Sequence, residues 1–121
     1  MKKTYLFYLA SLFLWSCASD SENDLVDVTE PSDNITYTIN IKPIIDLNCI
    51  FCHRDPPIND APMSLLNFEN VKEAIQNRNL IERISKQTGE NGAMPLGGPR
   101  LPQNLIDLII QWKDEGFKEG E

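Results

Sequence analysis

Histidine, cysteine and basic residues are scarce in this chain. Its 121 residues include one histidine and three cysteines, and 11 Lys and Arg stand against 18 Asp and Glu. This balance argues against nucleic-acid binding, which requires a basic patch. No apolar run reaches the roughly 20 residues that span a bilayer, and neither an internal repeat nor an alternating strand pattern is present. The length leaves room for one small domain.

An export signal is indicated at the N-terminus, where Lys2 and Lys3 precede an apolar run over residues 5–15. The run ends in Leu14-Trp15-Ser16-Cys17, which resembles the bacterial lipobox. That resemblance implies that residues 1–16 are a lipoprotein signal peptide and that Cys17 becomes a lipidated first residue. The alternative is ordinary cleavage with Cys17 left as a spare thiol. Removal of Lys2 and Lys3 leaves 9 basic against 18 acidic side chains, a net charge of −9.

Residues 17–34 are predicted to be the lipidated cysteine followed by a disordered tether, because residues 18–34 are acidic, poor in large apolar residues and without helical periodicity. Such a tether reaches about 60 Å when fully extended. Its early Ser19-Asp20-Ser21-Glu22 resembles lipoprotein surface-export tags, although a solvated spacer explains it equally well. The folded domain is then assigned to residues 35–121.

Four helices are predicted within that domain. The first runs from Ile39 or Ile41 to Asn48, with Pro43 in its first turn. Asn67 is the expected N-cap of a helix over residues 68–77, and a short helix beginning at Leu80 ends near Gly89. Pro102 is expected at position N1 of the last helix, whose stripe consists of Leu105, Leu108, Ile109 and Trp112. Gly116 fits the position after its end.

The sole histidine follows two cysteines in Cys49-Ile50-Phe51-Cys52-His53, the spacing that attaches c-type haem. Two thiols three positions apart can form thioethers with the vinyl carbons on one edge of the porphyrin. The next residue, His53, then places its imidazole under the ring as the proximal iron ligand. A carbonyl in the following loop, such as that of Pro56, is expected to accept the imidazole N–H. Arg54 and Arg100 are weaker candidates to pair with a haem propionate.

Two other uses of the cysteines were weighed against haem attachment. A zinc site usually takes four Cys or His ligands, whereas only three remain after Cys17, all within five residues. Thioredoxin-type chemistry places the CxxC at the start of a helix that follows a strand. Here the predicted helix precedes Cys49, so neither use matches the pattern.

Met94 is the preferred second axial ligand because it lies in a loop rich in glycine and proline, where a core methionine would lack apolar neighbours. Met63 is the competitor, only ten residues beyond His53 and also suited to filling a gap beside Leu65 and Leu66. An open or water-filled sixth position is the third alternative.

The order of these features resembles the small monohaem class I cytochrome c family. The resemblance covers residues 37–117 and rests on a helix leading into Cys49–His53, the Met94-Pro95 pair, and a last helix containing Trp112. It implies an all-α, cytochrome c-like domain packed around one covalently bound haem c, with Cys49 and Cys52 as attachment sites and His53 and Met94 as iron ligands. The spacing from Cys52 to Met94 is shorter than the family pattern.

The expected function is a membrane-anchored carrier of single electrons, not an enzyme. We expect a monomer in the bacterial cell envelope, held to a membrane through lipid on Cys17, whose acidic surface meets redox proteins with basic patches. The alternative is a gas or peroxide sensor, or a weak peroxidase, in which Met94 leaves the iron. No strand pattern, nucleic-acid partner or second cofactor is expected.

Overall fold

The structure, a computed structural model, describes residues 34–121. The predicted signal peptide, Cys17 and the acidic segment up to Asp33 lie outside the described residues. Within the described part the chain is helical and contains no strand, in agreement with the expected all-α class. A π-helical turn at Tyr37–Ile41 is followed by α1 at Lys42–Asn48, α2 at Phe68–Asn77, α3 at Leu80–Ser85 and α4 at Gln103–Asp114.

The first helical segment begins as a wide turn that the sequence pattern did not predict. The Thr36 hydroxyl accepts the Ile39 N–H at 3.4 Å, while the Asn40 side chain accepts the Thr36 N–H at 2.9 Å. These reciprocal bonds satisfy groups that a helix start otherwise leaves unpaired. Pro43 lies in the first turn of α1 and the helix ends at Asn48, both as predicted.

Helix α2 has the predicted bounds, and the Asn67 side chain caps it by accepting the Asn70 N–H at 2.9 Å. Its buried face includes Val71 and Ile75, as its spacing indicated. Helix α3 starts at Leu80 as predicted, but it ends at Ser85 rather than near Gly89. The loop between α3 and α4 is therefore longer than predicted. That longer loop contains Met94.

Helix α4 buries a stripe that differs from the prediction. Ile106, Ile109 and Trp112 are buried, whereas Leu105 and Leu108 are only half-buried. The prediction of Pro102 at N1 is also wrong by one position, because Pro102 is the N-cap and the helix begins at Gln103. The apolar residues of α4 form one broad face opposite the exposed Gln103, Asp107 and Gln111, so tertiary packing selects which part of that apolar face is buried most deeply.

The end of α4 closes on an aromatic cluster consisting of Tyr37, Phe68, Trp112 and Phe117. The Phe117 N–H donates to the Trp112 carbonyl, and Gly116, with φ of 90°, donates to Lys113. This pattern is the Schellman motif, which confirms the prediction for Gly116. The Trp112 ring is fully buried, and its centroid lies 5.0 Å from that of Phe117 and 5.9 Å from that of Tyr37.

The C-terminal residues join the two ends of the domain. The Lys118 carbonyl accepts both the Tyr37 N–H at 2.9 Å and the Trp112 indole N–H at 2.8 Å. Trp112 therefore packs where the π-helical turn meets α4, and the core extends from there to the buried faces of α2 and α3. Among residues 34–121, no helix is both long enough and apolar enough to cross a membrane.

Candidate functional site

The motif at Cys49–His53 forms a compact turn at the end of α1. The Cys49 N–H continues the helix by donating to the Ile45 carbonyl at 2.8 Å. The Cys49 carbonyl then accepts the N–H groups of Cys52 at 3.2 Å and His53 at 3.0 Å. Helix α1 thus delivers the motif in one folded unit, as the sequence predicted, and both cysteines are free thiols rather than a disulfide.

Cys49, Cys52 and His53 all line a cavity of about 630 Å³. This volume lies within the roughly 300–1,000 Å³ typical of sites for small molecules and cofactors. Met94 lines the same cavity, so the structure brings together the four residues that the sequence had singled out, although 45 residues separate Cys49 from Met94. The remaining wall is mostly apolar and includes Phe51, Ala61, Pro62, Met63, Leu65, Leu80, Ile84, Pro95 and Leu96.

His53 is held by hydrogen bonds of both its ring and its backbone. Its Nδ1 lies 2.9 Å from the carbonyl oxygen of Met63, and its own carbonyl accepts the Leu65 N–H at 2.8 Å. Because a carbonyl oxygen only accepts, Nδ1 carries the proton and Nε2 keeps its lone pair. Only 9% of the residue is exposed. The imidazole is therefore oriented and available as a ligand through Nε2.

The acceptor for the His53 ring differs from the expected Pro56. A loop carbonyl was predicted, and a loop carbonyl is found, but it belongs to Met63. This gives Met63 a backbone role that its side-chain chemistry did not indicate. Any residue of a loop offers a carbonyl, so only the path of the loop determines which one reaches the ring.

The Cys49 thiol is held in its neutral form. Burial raises its pKa to about 11, whereas thiols active in disulfide exchange have lowered pKa values. The Cys52 sulfur lies 3.4 Å from the Asn59 side-chain nitrogen, which donates to it. The surroundings of Cys49 therefore do not favour thioredoxin-type chemistry.

Met94 approaches the cavity from the loop between α3 and α4. Its N–H donates to the Arg83 carbonyl at 3.0 Å, which connects this loop to α3. Met94 and Met63 are both half-buried, both line the cavity and both pack against the hydrophobic core. The expectation that Met94 would lack apolar neighbours is therefore wrong, because the loop folds back onto the core. The carbonyl of Met63 is already bonded to His53, which places Met63 with the histidine, while Met94 comes from a different segment of the wall.

The arginines near the cavity differ from those that the sequence singled out. Arg78 and Arg83 line it, whereas Arg54 and Arg100 do not. The Arg100 guanidinium instead donates to the carbonyls of Ser85 at 3.0 Å and Leu101 at 3.3 Å, so its role is structural. No sequence signal marked Arg78 or Arg83, because their position depends on how α2 and α3 pack.

Two large apolar side chains of the cavity wall are also open to solvent. Phe51 is 78% exposed and Leu96 is 74% exposed, so the cavity has an apolar rim. Across residues 34–121, no cluster of three or more His, Cys, Asp or Glu side chains is arranged to hold a metal ion directly. Comparison of the chain with protein-family models, curated proteins and solved structures found no match.

Proposed function

We propose that this domain is a c-type cytochrome that carries single electrons. The observation that carries the proposal is that one cavity of about 630 Å³ is lined by Cys49, Cys52, His53 and Met94 together. Two thiols at the attachment spacing, one oriented imidazole and one thioether form the donor set of a His/Met c-type haem site.

The chemistry of the cavity supports the fit of a haem group. Both thiols are free, and the raised pKa of Cys49 keeps its sulfur uncharged in a mostly apolar wall. Such a wall suits a large flat apolar cofactor and excludes water from around it. The haem attached to Cys49 and Cys52 would supply a reversible one-electron couple.

His53 and Met94 would have complementary roles in holding the haem. His53 presents Nε2 because the Met63 carbonyl fixes its ring, and this hydrogen bond also raises the basicity of the ligand. Met94 would supply a soft, weakly donating sulfur, which would give a haem held here a higher reduction potential than a second histidine would. If His53 and Met94 hold the haem in both oxidation states, the site would rearrange little on electron transfer. This arrangement favours a carrier over the sensor or peroxidase alternative.

We propose that the segment before the folded domain attaches it to a membrane. Lipid on Cys17 would anchor a monomeric domain in the cell envelope, and the acidic tether would let it move among redox partners on the same membrane. With nine basic and 18 acidic side chains after signal removal, encounters with basic patches on those partners should weaken as salt rises.

The test is an absorption spectrum of the chain produced together with a c-type haem maturation system. A covalent c-type haem that shows the weak long-wavelength ferric band of a Met sulfur, and that does not bind carbon monoxide when reduced, supports the electron carrier. Covalent haem that binds carbon monoxide readily supports the sensor instead. Absence of covalent haem, despite correct export and a working control cytochrome, overturns the proposal.

A further inference from the structure

Two cationic side chains, Arg83 in the last turn of α3 and Lys86 directly after the helix, meet at one glycine of the loop that contains Met94. The Arg83 guanidinium donates to the Gly92 carbonyl at 3.4 Å, and the Lys86 ammonium donates to the Asn91 carbonyl at 3.1 Å. The position that a Cβ would occupy on Gly92 lies 3.7 Å from the Arg83 nitrogen and 3.6 Å from the Lys86 nitrogen. Both charges therefore converge two residues before Met94.

The backbone continues this connection up to Met94 itself. The Met94 N–H donates to the Arg83 carbonyl at 3.0 Å, so Arg83 contacts the loop through both its main chain and its side chain. Within the loop, the Ala93 N–H donates to the Glu90 carbonyl at 3.0 Å. Lys86 is also paired with Glu82 at 3.3 Å, one turn earlier on α3.

We propose that Arg83 and Lys86 are positioning residues that fasten the 91–94 segment to α3 and so hold the Met94 thioether in the cavity. The inference rests on the proposed function, because the attachment of this segment would determine how readily another ligand replaces Met94. Arg83 contacts Met94 through its main-chain carbonyl, whereas the charged ends of Arg83 and Lys86 bond the carbonyls of Gly92 and Asn91 rather than Met94 itself. Their hydrogen bonds lower the fraction of molecules in which the loop has moved away from the cavity. The apparent affinity for any competing ligand is proportional to that fraction.

The test compares Arg83→Met and Lys86→Met with the wild-type holoprotein. Methionine keeps much of the length and apolar stem of each side chain but removes the donors. The probe is imidazole added to the oxidised protein, with binding followed by loss of the Met–iron band. We expect the affinity for imidazole to rise about two- to tenfold for Arg83→Met, the range of one intramolecular hydrogen bond, and by a smaller factor for Lys86→Met. Lys113→Met, at an exposed lysine paired with Asp114 on α4, is the matched charge control and should not change the affinity.

A second readout does not depend on ligand exchange. Hydrogen exchange at the Met94 and Ala93 amides should be faster in Arg83→Met and Lys86→Met than in Lys113→Met. Unchanged imidazole affinity together with unchanged amide exchange in both variants would overturn the fastening. A wild-type protein without covalent haem would instead count against the proposed function, and the amide exchange would still decide the role of Arg83 and Lys86.

Discussion

The two sides of the cavity are built differently. On one side, His53 is buried, its ring is bonded to the Met63 carbonyl, and its carbonyl accepts the Leu65 N–H. On the other side, Met94 is half-buried in a glycine-rich loop, held by one backbone bond to Arg83 and by side-chain bonds to the residues before it. Both residues contact the interior of the fold, since Met94 packs against the hydrophobic core, but the bonds that hold the Met94 loop include two from partly exposed side chains, whereas those of His53 are to backbone groups.

If the proposed function is correct, this difference would let one small domain combine a firmly held ligand, His53, with a second ligand, Met94, whose attachment can be altered. Burial and a double hydrogen bond leave His53 few alternative positions. The Met94 loop has solvent on one face, and the bonds that hold it come from exposed side chains, so single surface substitutions can alter its stability. Three predictions test whether the two sides differ as much in behaviour as they do in structure.

The largest effect is expected from Cys52→Ala, which removes a thiol on the histidine side. Stable haem attached by two thioethers should be lost completely, because the pair of thiols three positions apart is broken. The measurement is haem staining on a denaturing gel, together with the spectrum of the purified protein.

The matched control is Cys17→Ser, a cysteine substitution that should leave haem attachment intact while moving the protein out of the membrane fraction. Normal two-thioether haem in Cys52→Ala would show that the motif does not attach the cofactor. If Cys17→Ser stays in the membrane fraction, the lipid anchor is contradicted, but the conclusion about haem attachment is not affected.

A smaller change is expected from Met94→Ala, which should keep haem attached and create a site for carbon monoxide in the reduced protein. Met63→Ala is the control on the other side of the cavity. That substitution keeps the backbone carbonyl that orients His53, so the Met–iron band should remain and carbon monoxide should still be excluded.

The reverse pattern, with the band lost in Met63→Ala and retained in Met94→Ala, would exchange the roles of the two methionines. Carbon monoxide binding to the unmodified protein would favour the sensor over the carrier.

The sequence was sufficient where a local rule decides the structure, and insufficient where the path of the chain decides it. The cap at Asn67 and the glycine after α4 depend on neighbouring residues, and both predictions are confirmed. In α4, Ile109 and Trp112 are buried as predicted, whereas Ile106 is buried in place of the half-buried Leu105 and Leu108, because the apolar face is broad and its partners select which residues are covered.

The cavity also combines features that local sequence rules predict with features that depend on the path of the chain. Four donors could be selected by residue type and spacing, and they do line one cavity. The Met63 carbonyl and the Arg83 side chain could not be selected, since every loop residue has a carbonyl and most surface arginines are solvated. Their roles arise only from the packing of α3 and of the loop after His53.

The last prediction compares two leucines that both line the cavity, Leu65 and Leu96. Leu65 is 3% exposed and its N–H donates to the His53 carbonyl, whereas Leu96 is 74% exposed and lies two residues after Met94. We expect Leu65→Ala to lower the free energy of unfolding by about 2–5 kcal/mol, as for other buried leucines. Leu96→Ala should change it by no more than about 0.5 kcal/mol, as for surface positions. Urea unfolding of holoproteins with equal haem content measures both. If Leu96→Ala destabilises the holoprotein as much as Leu65→Ala, then Leu96 is covered once the cofactor is bound, and the methionine side is as firmly packed as the histidine side.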